Sequence, residues 1–157
     1  MSKTMKRLMM CTLALVFCSF ALQALAADKA PTKDDLVAFV HEAAAYAKQN
    51  GKEKALAEFM NKDGKFFRGE LYIFAYDFNG NVLSHGAKPA LVGKNLLPLR
   101  DANGLPVIQE LIKVAQGGEG FLKYNWDNPV AKKVMPKLGY AMKIDDNWWL
   151  GSGIYEQ

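Results

Sequence analysis

LYIFAYDFNGNVLS, residues 71–84, contains two segments with the two-residue period of a β-strand, at positions 71–76 and 82–84. Residues 77–81 between them, DFNGN, are of the kinds that form tight hairpin turns. This stretch therefore predicts a β-hairpin, around which the remaining elements can be arranged.

The two faces of the first predicted strand differ in chemistry. Alternation places Tyr72, Phe74 and Tyr76 on one face and the aliphatic residues 71, 73 and 75 on the other. The aliphatic face suits packing against helices, whereas the phenol hydroxyls need polar partners. Either a ligand pocket or an aromatic core whose hydroxyls reach the surface would supply them, and this strand alone favours neither.

Two helices are predicted before the hairpin. Between residues 33 and 49 the apolar positions recur at steps of three and four, Thr32 is placed to cap the helix, and Asn50-Gly51 stops it. A shorter helix follows at 53–60.

After the hairpin, residues 86–104 are predicted to form a long loop, a kind of segment that is more often functional than idle in a compact domain. A helix at 105–116 and strands at 120–126, 137–144 and 148–155 complete the chain. Helices followed by a mostly antiparallel sheet with one inserted helix predict an α+β domain.

The first 26 residues have the pattern of a cleavable secretory signal peptide. Lys3, Lys6 and Arg7 precede an apolar run, which closes on the small-x-small site at residues 24–26. We expect cleavage there, a mature domain at 27–157 and a periplasmic or secreted location. A retained anchor is the alternative, because the run is borderline in length for a span. A lipoprotein at Cys18 is disfavoured, since Val16-Phe17 directly before that cysteine are not the small residues that lipoprotein processing requires.

The charge and cysteine content of the mature domain exclude several classes of protein. The signal holds three of the 20 Lys and Arg residues and none of the 16 Asp and Glu residues, so the mature domain carries a net charge of +1. Nothing in it predicts a nucleic-acid partner. Both cysteines, Cys11 and Cys18, lie in the signal, which excludes disulfides and cysteine metal sites from the mature domain.

Catalytic patterns are missing from the mature sequence. Its two histidines, His41 and His85, and its two serines, Ser84 and Ser152, do not form a pattern typical of a hydrolytic triad. The acidic turns at 77–81 and 101–104 lack the closing Glu of a calcium loop. We expect no enzyme activity, no metal and no cofactor.

Aromatic residues concentrate in the sheet half of the chain. Tyr124 and Trp126 share one face of their strand, and Tyr140, Trp148, Trp149 and Tyr155 lie in the last two strands. His85, Lys94 and Lys137 are cations that could meet a small anion, although each alone is more often a solvated surface residue. By alternation Lys137 and Tyr140 lie on opposite faces, and a bulge at Gly139 would bring both to one site.

The order of three stretches, "YIFAYDFNGNVLSHGAKPALVGKNLLPLRDANG", "GGEGFLKYNWDNP" and "KLGYAMKIDDNWWLGSGIY", resembles the second type of single Cache domain, a family of extracytoplasmic sensor modules with a PAS-like fold. Its most specific parts are the loop from Gly93 to Gly104, the Tyr124-x-Trp126-x-x-Pro129 block and the final Gly151-x-Gly153-x-Tyr155. The resemblance covers almost the whole mature chain.

The resemblance implies a long N-terminal helix, an antiparallel sheet of about five strands and a pocket for a small organic carboxylate such as acetate, propionate, lactate or pyruvate. The ligand-binding residues expected from the resemblance and the candidate cations are Tyr72, Phe74, Tyr76, His85, Lys94, Tyr124, Trp126, Lys137 and Tyr140.

The chain departs from the family pattern in two places. Gly86 stands where relatives usually have proline after the histidine, and we expect it to loosen the loop. Most relatives continue into a membrane helix and a signalling module, whereas this sequence ends at Gln157. We therefore expect a freestanding binding domain that acts, if it signals, through an envelope sensor or receptor protein. The alternative is an envelope interaction module with no small ligand.

Overall fold

The computed structural model describes residues 30–156. The expected signal peptide at 1–26 lies outside the described residues, and so does the expected first residue of the mature domain. Within 30–156 no helix has the length and apolar content needed to cross a membrane.

Two consecutive helices open the domain. Helix α1, Lys33–Asn50, begins at a capping box in which Thr32 accepts a hydrogen bond from the Asp35 N–H while the Asp35 carboxylate accepts one from the Thr32 N–H. The chain then turns at Gly51, whose φ of 84° suits glycine, into helix α2, Lys52–Phe59. Both helices bury one apolar stripe and leave the other side polar.

Within residues 30–156, seven strands form two antiparallel sheets. A two-stranded ribbon pairs β1 with β2, and a five-stranded sheet has the order β4-β3-β7-β6-β5. Helix α3, Val107–Gln116, is inserted between β4 and β5, after a loop that contains a single 3-10 turn, Pro89–Leu91. The strands are β1 Phe67–Arg68, β2 Leu71–Tyr72, β3 Phe74–Asp77, β4 Val82–His85, β5 Glu119–Asn128, β6 Lys133–Lys143 and β7 Trp148–Tyr155.

This architecture confirms the predicted α+β fold with a long first helix and a five-stranded antiparallel sheet. Two details differ from the prediction. The strand expected at 71–76 is interrupted at Ile73, because its first half pairs with β1 and its second half pairs with β4 and β7. The bulge at Gly139 that would have brought Lys137 and Tyr140 to one site does not form: β6 pairs residue by residue with both neighbours, so the two side chains remain on opposite faces of the sheet, as alternation predicts.

Each face of the large sheet is covered by a separate core. One face, which we call the helix face, packs against α1 and α2. Ile73, Ala75 and Leu150 belong there to one buried cluster with Leu36 and Phe59. The opposite face, which we call the site face, is covered by α3 and the loop before it. On this face lie the other residues of the alternating strands, many of which are aromatic. Two alternating sets of residues thus produce two chemically different interiors.

Candidate functional site

Lys137 is the centre of the site face. It lies in β6 with 1% of its surface exposed, and its Nζ donates a hydrogen bond to the Tyr72 hydroxyl at 2.9 Å. The ammonium is 4.2 Å from the ring centroid of Tyr72 and 4.8 Å from that of Tyr155. Among residues 30–156 no carboxylate forms a direct ion pair with it. In the described part of the chain, the buried ammonium therefore contacts neutral side chains only, through a hydrogen bond and through aromatic rings.

The sheet register explains why these groups meet. Lys137 pairs with Tyr124 of β5 on one side and with Tyr155 of β7 on the other, so three polar side chains stand in a row across adjacent strands. Gly153 of β7 leaves the space that the lysine occupies, since a Cβ there would lie 3.1 Å from Cγ of Lys137. The lysine stem is held flat against the sheet.

A directed chain of hydroxyls leads away from the ammonium. The Tyr155 hydroxyl donates to the carbonyl oxygen of Asp127 at 2.6 Å, which uses its one hydrogen. The Tyr72 hydroxyl, 3.3 Å from that of Tyr155, must therefore be the donor between the two phenols. Lys137 donates to Tyr72, Tyr72 to Tyr155 and Tyr155 to the backbone, so the order of the protons is fixed.

His85, at the end of β4, lies beside the cluster of Lys137 and the phenols. The ring lies between Tyr72, at a centroid distance of 5.2 Å, and Trp126, at 6.4 Å. Its Nδ1 accepts the Lys88 N–H at 3.1 Å, so in the neutral ring Nε2 carries the proton. Burial, reinforced by the positive charges of Lys137 and Lys88, lowers the pKa of His85 to about 3. The imidazole is therefore neutral at physiological pH and has one N–H to donate.

Burial also sets the protonation of the other polar groups. It lowers the pKa of Lys137 to about 7, against the opposing influence of the negative charge of Glu70. It raises the pKa of Tyr72 to about 12 and also raises the pKa of Tyr155, so both phenols keep their protons at neutral pH. The site thus combines a titratable cation with neutral hydrogen-bond donors, which is the chemistry of an anion receptor.

An apolar cavity adjoins the polar cluster. It has a volume of about 10 Å³, room for about one water molecule. Tyr76 forms part of its wall, and its ring stacks on that of Trp149 at a centroid distance of 5.0 Å and an angle of 12°. The residues that line it are Phe74, Tyr76, His85, Val107, Ile108, Leu111, Tyr124 and Trp126.

Trp126 stands between this cavity and the outside of the domain. It also lines an open groove of about 310 Å³, together with the apolar side chains of Leu91, Leu96, Leu99 and Val134. Only the half-buried indole is common to both spaces. The same indole therefore borders both the small cavity and the open groove.

The structure brings most of the predicted site residues together. The seven that share the site face are Tyr72, Phe74, Tyr76, His85, Tyr124, Trp126 and Lys137.

It does not bring Lys94 and Tyr140 to this cluster. Lys94 is exposed in the loop after β4, where its carbonyl oxygen accepts the Val82 N–H at 2.9 Å. Tyr140 lies on the helix face, 4.7 Å from the ring of Phe121, because β6 is regular through Gly139.

Sequence reasoning missed several members of the cluster. Tyr155 was absent from the expected set, although the spacing Gly151-x-Gly153-x-Tyr155 places all three on one face of a strand. Trp149 belongs to the same alternation, two residues before Gly151. The α3 side chains at 107, 108 and 111 gave only an amphipathic pattern, which does not reveal what the helix covers.

Gly86 does not loosen the loop as expected. Its N–H donates to the carbonyl oxygen of Ile73 at 2.9 Å, and the residue is buried. A Cβ here would lie 2.9 Å from the carbonyl oxygen of Phe59 and 3.1 Å from Cβ of Tyr72. Gly86 therefore permits a close approach that holds His85 against the sheet.

Comparison with known proteins agrees with this fold. Residues 36–157 match the model of the family described as Single Cache domain 2. The crystal structure of a methyl-accepting chemotaxis protein from Vibrio parahaemolyticus is 39% identical, with a TM-score of 0.69, over 78% of this chain and 87% of that one. A structure described as the basis of carboxylic acid recognition by a Cache chemosensory domain shares the fold, with 21% identity and a TM-score of 0.61 over 76% of this chain and 85% of that one.

Two curated relatives are full signalling proteins. The sensor histidine kinase MctS of Rhizobium johnstonii is 36% identical over 85 residues, 54% of this chain and 18% of the relative. The methyl-accepting chemotaxis protein McpP of Pseudomonas putida is 30% identical over 86 residues, 54% of this chain and 16% of the relative. The matched region thus spans less than a fifth of each of these proteins. What is shared is the sensor region of chemoreceptors and histidine kinases.

Proposed function

Since this chain belongs to the Single Cache domain 2 family, we propose that it is a periplasmic or secreted sensor domain that binds a small organic carboxylate on the site face. The family consists of extracytoplasmic sensor domains and is not an enzyme class. The proposed ligands are short acids of the size of acetate, propionate, lactate and pyruvate.

The observation that carries the proposal is the environment of Lys137. A cation with 1% exposure and a neutral phenol as its hydrogen-bond acceptor is unfavourable in isolation, because burial removes its hydration without supplying a counter-ion in contact. A ligand carboxylate beside it would supply that counter-ion. The Nε2–H of the neutral His85 would donate to the second carboxylate oxygen.

The adjoining cavity restricts the rest of the ligand. Its lining is aromatic and aliphatic, and its volume of about 10 Å³ leaves little space unless the rings or α3 shift. We therefore propose a carboxylate with an apolar tail of one to a few carbon atoms, entering past Trp126. The same small volume favours the alternative function, an envelope interaction module in which the aromatic face is only core.

A thermal-shift screen of short organic acids tests the proposal on the protein purified from its own export pathway. A ligand at about 100 times its dissociation constant adds roughly 2.7 kcal/mol of stability. Stabilisation by one or more short carboxylates, but not by amides or alcohols of the same shape, is expected. If no acid stabilises the protein at millimolar concentration, the interaction-module alternative is favoured.

Calorimetry with the strongest acid then tests the role of Lys137. Lys137→Met keeps the stem and removes the charge, so it should weaken binding by about 2 to 3 kcal/mol, or roughly 30 to 150 fold. Lys143→Met is the matched control, because Lys143 lies in the same strand and its ammonium forms an ion pair with Asp146 at 2.6 Å. Wild-type affinity in the Lys137→Met variant would show that the anion is bound elsewhere.

We further propose that ligand binding is transmitted to a signalling protein of the envelope. The curated relatives combine a matching sensor region with histidine kinase or chemoreceptor function. Crosslinking in cells with and without the identified acid tests this, with a ligand-dependent adduct to a kinase or chemoreceptor as the expected result.

A further inference from the structure

Glu70 occupies the two-residue turn between β1 and β2, next to the Lys137 cluster. The turn residues are Gly69, with a φ of 62°, and Glu70, which precedes Tyr72 by two positions. Because the β1–β2 pairing fixes the turn, the carboxylate is held at the edge of the site and not on a free loop.

Asn128 anchors this carboxylate from the other side. It is the last residue of β5 and is 1% exposed. Its Oδ1 accepts the N–H groups of Val130 and Ala131 at 2.8 and 3.0 Å, which fixes the orientation of the amide. Its Nδ2 then donates to Oε1 of Glu70 at 2.5 Å. A buried side chain with three polar contacts therefore sets where the Glu70 charge lies.

The hydroxyl chain ends beside this anchor. Tyr155 donates to the carbonyl oxygen of Asp127, the residue immediately before Asn128. Lys137, Tyr72, Tyr155 and Glu70 consequently form one cluster around the end of β5. The negative charge of Glu70 favours the ammonium form of Lys137 and disfavours the deprotonated form of Tyr155.

We propose that Glu70, held by Asn128, is a positioning residue that serves as the counter-charge of the buried Lys137 ammonium and so sets the pH range in which the site attracts an anion. The inference rests on the proposed function for its ligand, but the effect of Glu70 on the charge of Lys137 is a property of the free protein. Glu70 forms no ion pair with the Lys137 ammonium. Its negative charge therefore favours the positive charge of Lys137, while the position of a ligand carboxylate stays free.

Other groups around Lys137 do not replace this role. The neighbouring titratable and charged groups are the phenols Tyr72, Tyr124 and Tyr155, the imidazole of His85, and the exposed pair Lys88 and Asp127. The phenols and the imidazole are neutral at physiological pH. Asp127 forms an ion pair with Lys88, so its charge is already opposed.

An NMR titration of the free protein tests the inference directly. The lysine ¹³Cε signal of Lys137 should titrate, and in Glu70→Gln, which keeps the acceptor for Asn128, its midpoint should move about one pH unit lower. In Glu70→Asp, which keeps the negative charge, the Lys137 midpoint should lie close to that of the wild type. Glu53→Gln, the removal of an exposed carboxylate on α2, should leave the midpoint unchanged.

The affinity profile supplies the second readout. Binding of the carboxylate identified by the screen should weaken as pH rises through the Lys137 midpoint, by up to tenfold per pH unit, and this decline should begin at lower pH in Glu70→Gln. At pH values well below both midpoints that variant should bind at least as well as wild type. An unchanged Lys137 midpoint in Glu70→Gln overturns the inference. The absence of any carboxylate ligand would overturn the proposed function while leaving the titration result valid.

Discussion

The two faces of the five-stranded sheet are formed by alternate residues of the same strands, and they bury different kinds of side chain. Among the described residues, the helix face encloses hydrocarbon and aromatic groups such as Leu36, Phe59 and Leu150, with no buried lysine or histidine. The site face encloses Lys137 and His85 among phenols. The alternation of side chains along each strand therefore places apolar groups on one face. On the other face it places polar groups whose burial costs free energy.

This difference shows where stability and function lie in the domain. Apolar burial on the helix face contributes roughly 25 cal/mol for each Å² removed from water. Burial of a charge opposes folding unless a partner compensates it. Apolar burial on both faces should therefore contribute to the unfolding free energy, and the site face should dominate its pH dependence and the response to ligand.

The largest expected effect comes from truncating the helix face. Phe59 is fully buried and packs edge-on against Phe66 at a centroid distance of 5.1 Å. Phe59→Ala should reduce the unfolding free energy by about 3 to 5 kcal/mol, measured by urea denaturation. Ligand affinity of the remaining folded protein should be unchanged. A loss below about 1 kcal/mol would contradict the assignment of this face as the stabilising core.

The pH dependence of stability should come from the site face. Burial depresses the pKa of Lys137 from 10.5 to about 7 in the folded protein, so between these values the unfolded chain binds more protons. Stability should therefore rise with pH across this window, by on the order of 2 to 3 kcal/mol from about pH 6 to about pH 9.

Lys137→Met should flatten that rise, and urea denaturation of both proteins at several pH values measures the difference. Ionisation of tyrosines in the unfolded chain is common to both proteins and cancels. An identical slope in the variant would show that Lys137 is not buried as a titrating group.

A smaller effect should separate two tyrosines on opposite faces. Tyr72→Phe removes the acceptor of Lys137 and should weaken carboxylate binding by about 1 kcal/mol or more, roughly fivefold. Tyr140→Phe, the same change on the helix face, should leave affinity unchanged. Calorimetry on both variants checks the comparison, and equal losses would mean that the phenol effect is not specific to the site.

The smallest effect is expected for Lys94. The residue is exposed and remote from the site cluster, so Lys94→Met should change affinity by less than about 0.5 kcal/mol. A tenfold loss of affinity would place the loop lysine over the bound ligand and would revise the boundary of the site.

Much of the fold was predictable because alternation and amphipathic spacing are local signals. The phenols at 72 and 76 were correctly separated from Ile73 and Ala75 by the two-residue period alone. The interruption at Ile73 was not predictable, because it follows from the pairing of residues 71 and 72 with β1, whose two residues carry no strand pattern.

The residues of the site were predictable only where they follow from the alternation of side chains along a strand. Alternation by itself places Lys137 and Tyr140 on opposite faces, and the added bulge was wrong because Gly139 serves another purpose. A Cβ at Gly139 would lie 2.6 Å from Cε1 of Tyr124, so the glycine makes room for that ring. Glu70 and Asn128 meet across 58 positions of sequence, and no local pattern predicts such a contact.

The glycines of β6 and β7 determine how the pocket could be redesigned. Gly139, Gly151 and Gly153 lie beneath Tyr124, Phe74 and Lys137, respectively, so these parts of the floor are backbone and have no side chain to shorten. A pocket for longer acids would have to be made by trimming the roof, at Val107, Ile108 and Leu111 of α3. Divergence in ligand size is therefore expected to accumulate on one helix while the floor stays fixed.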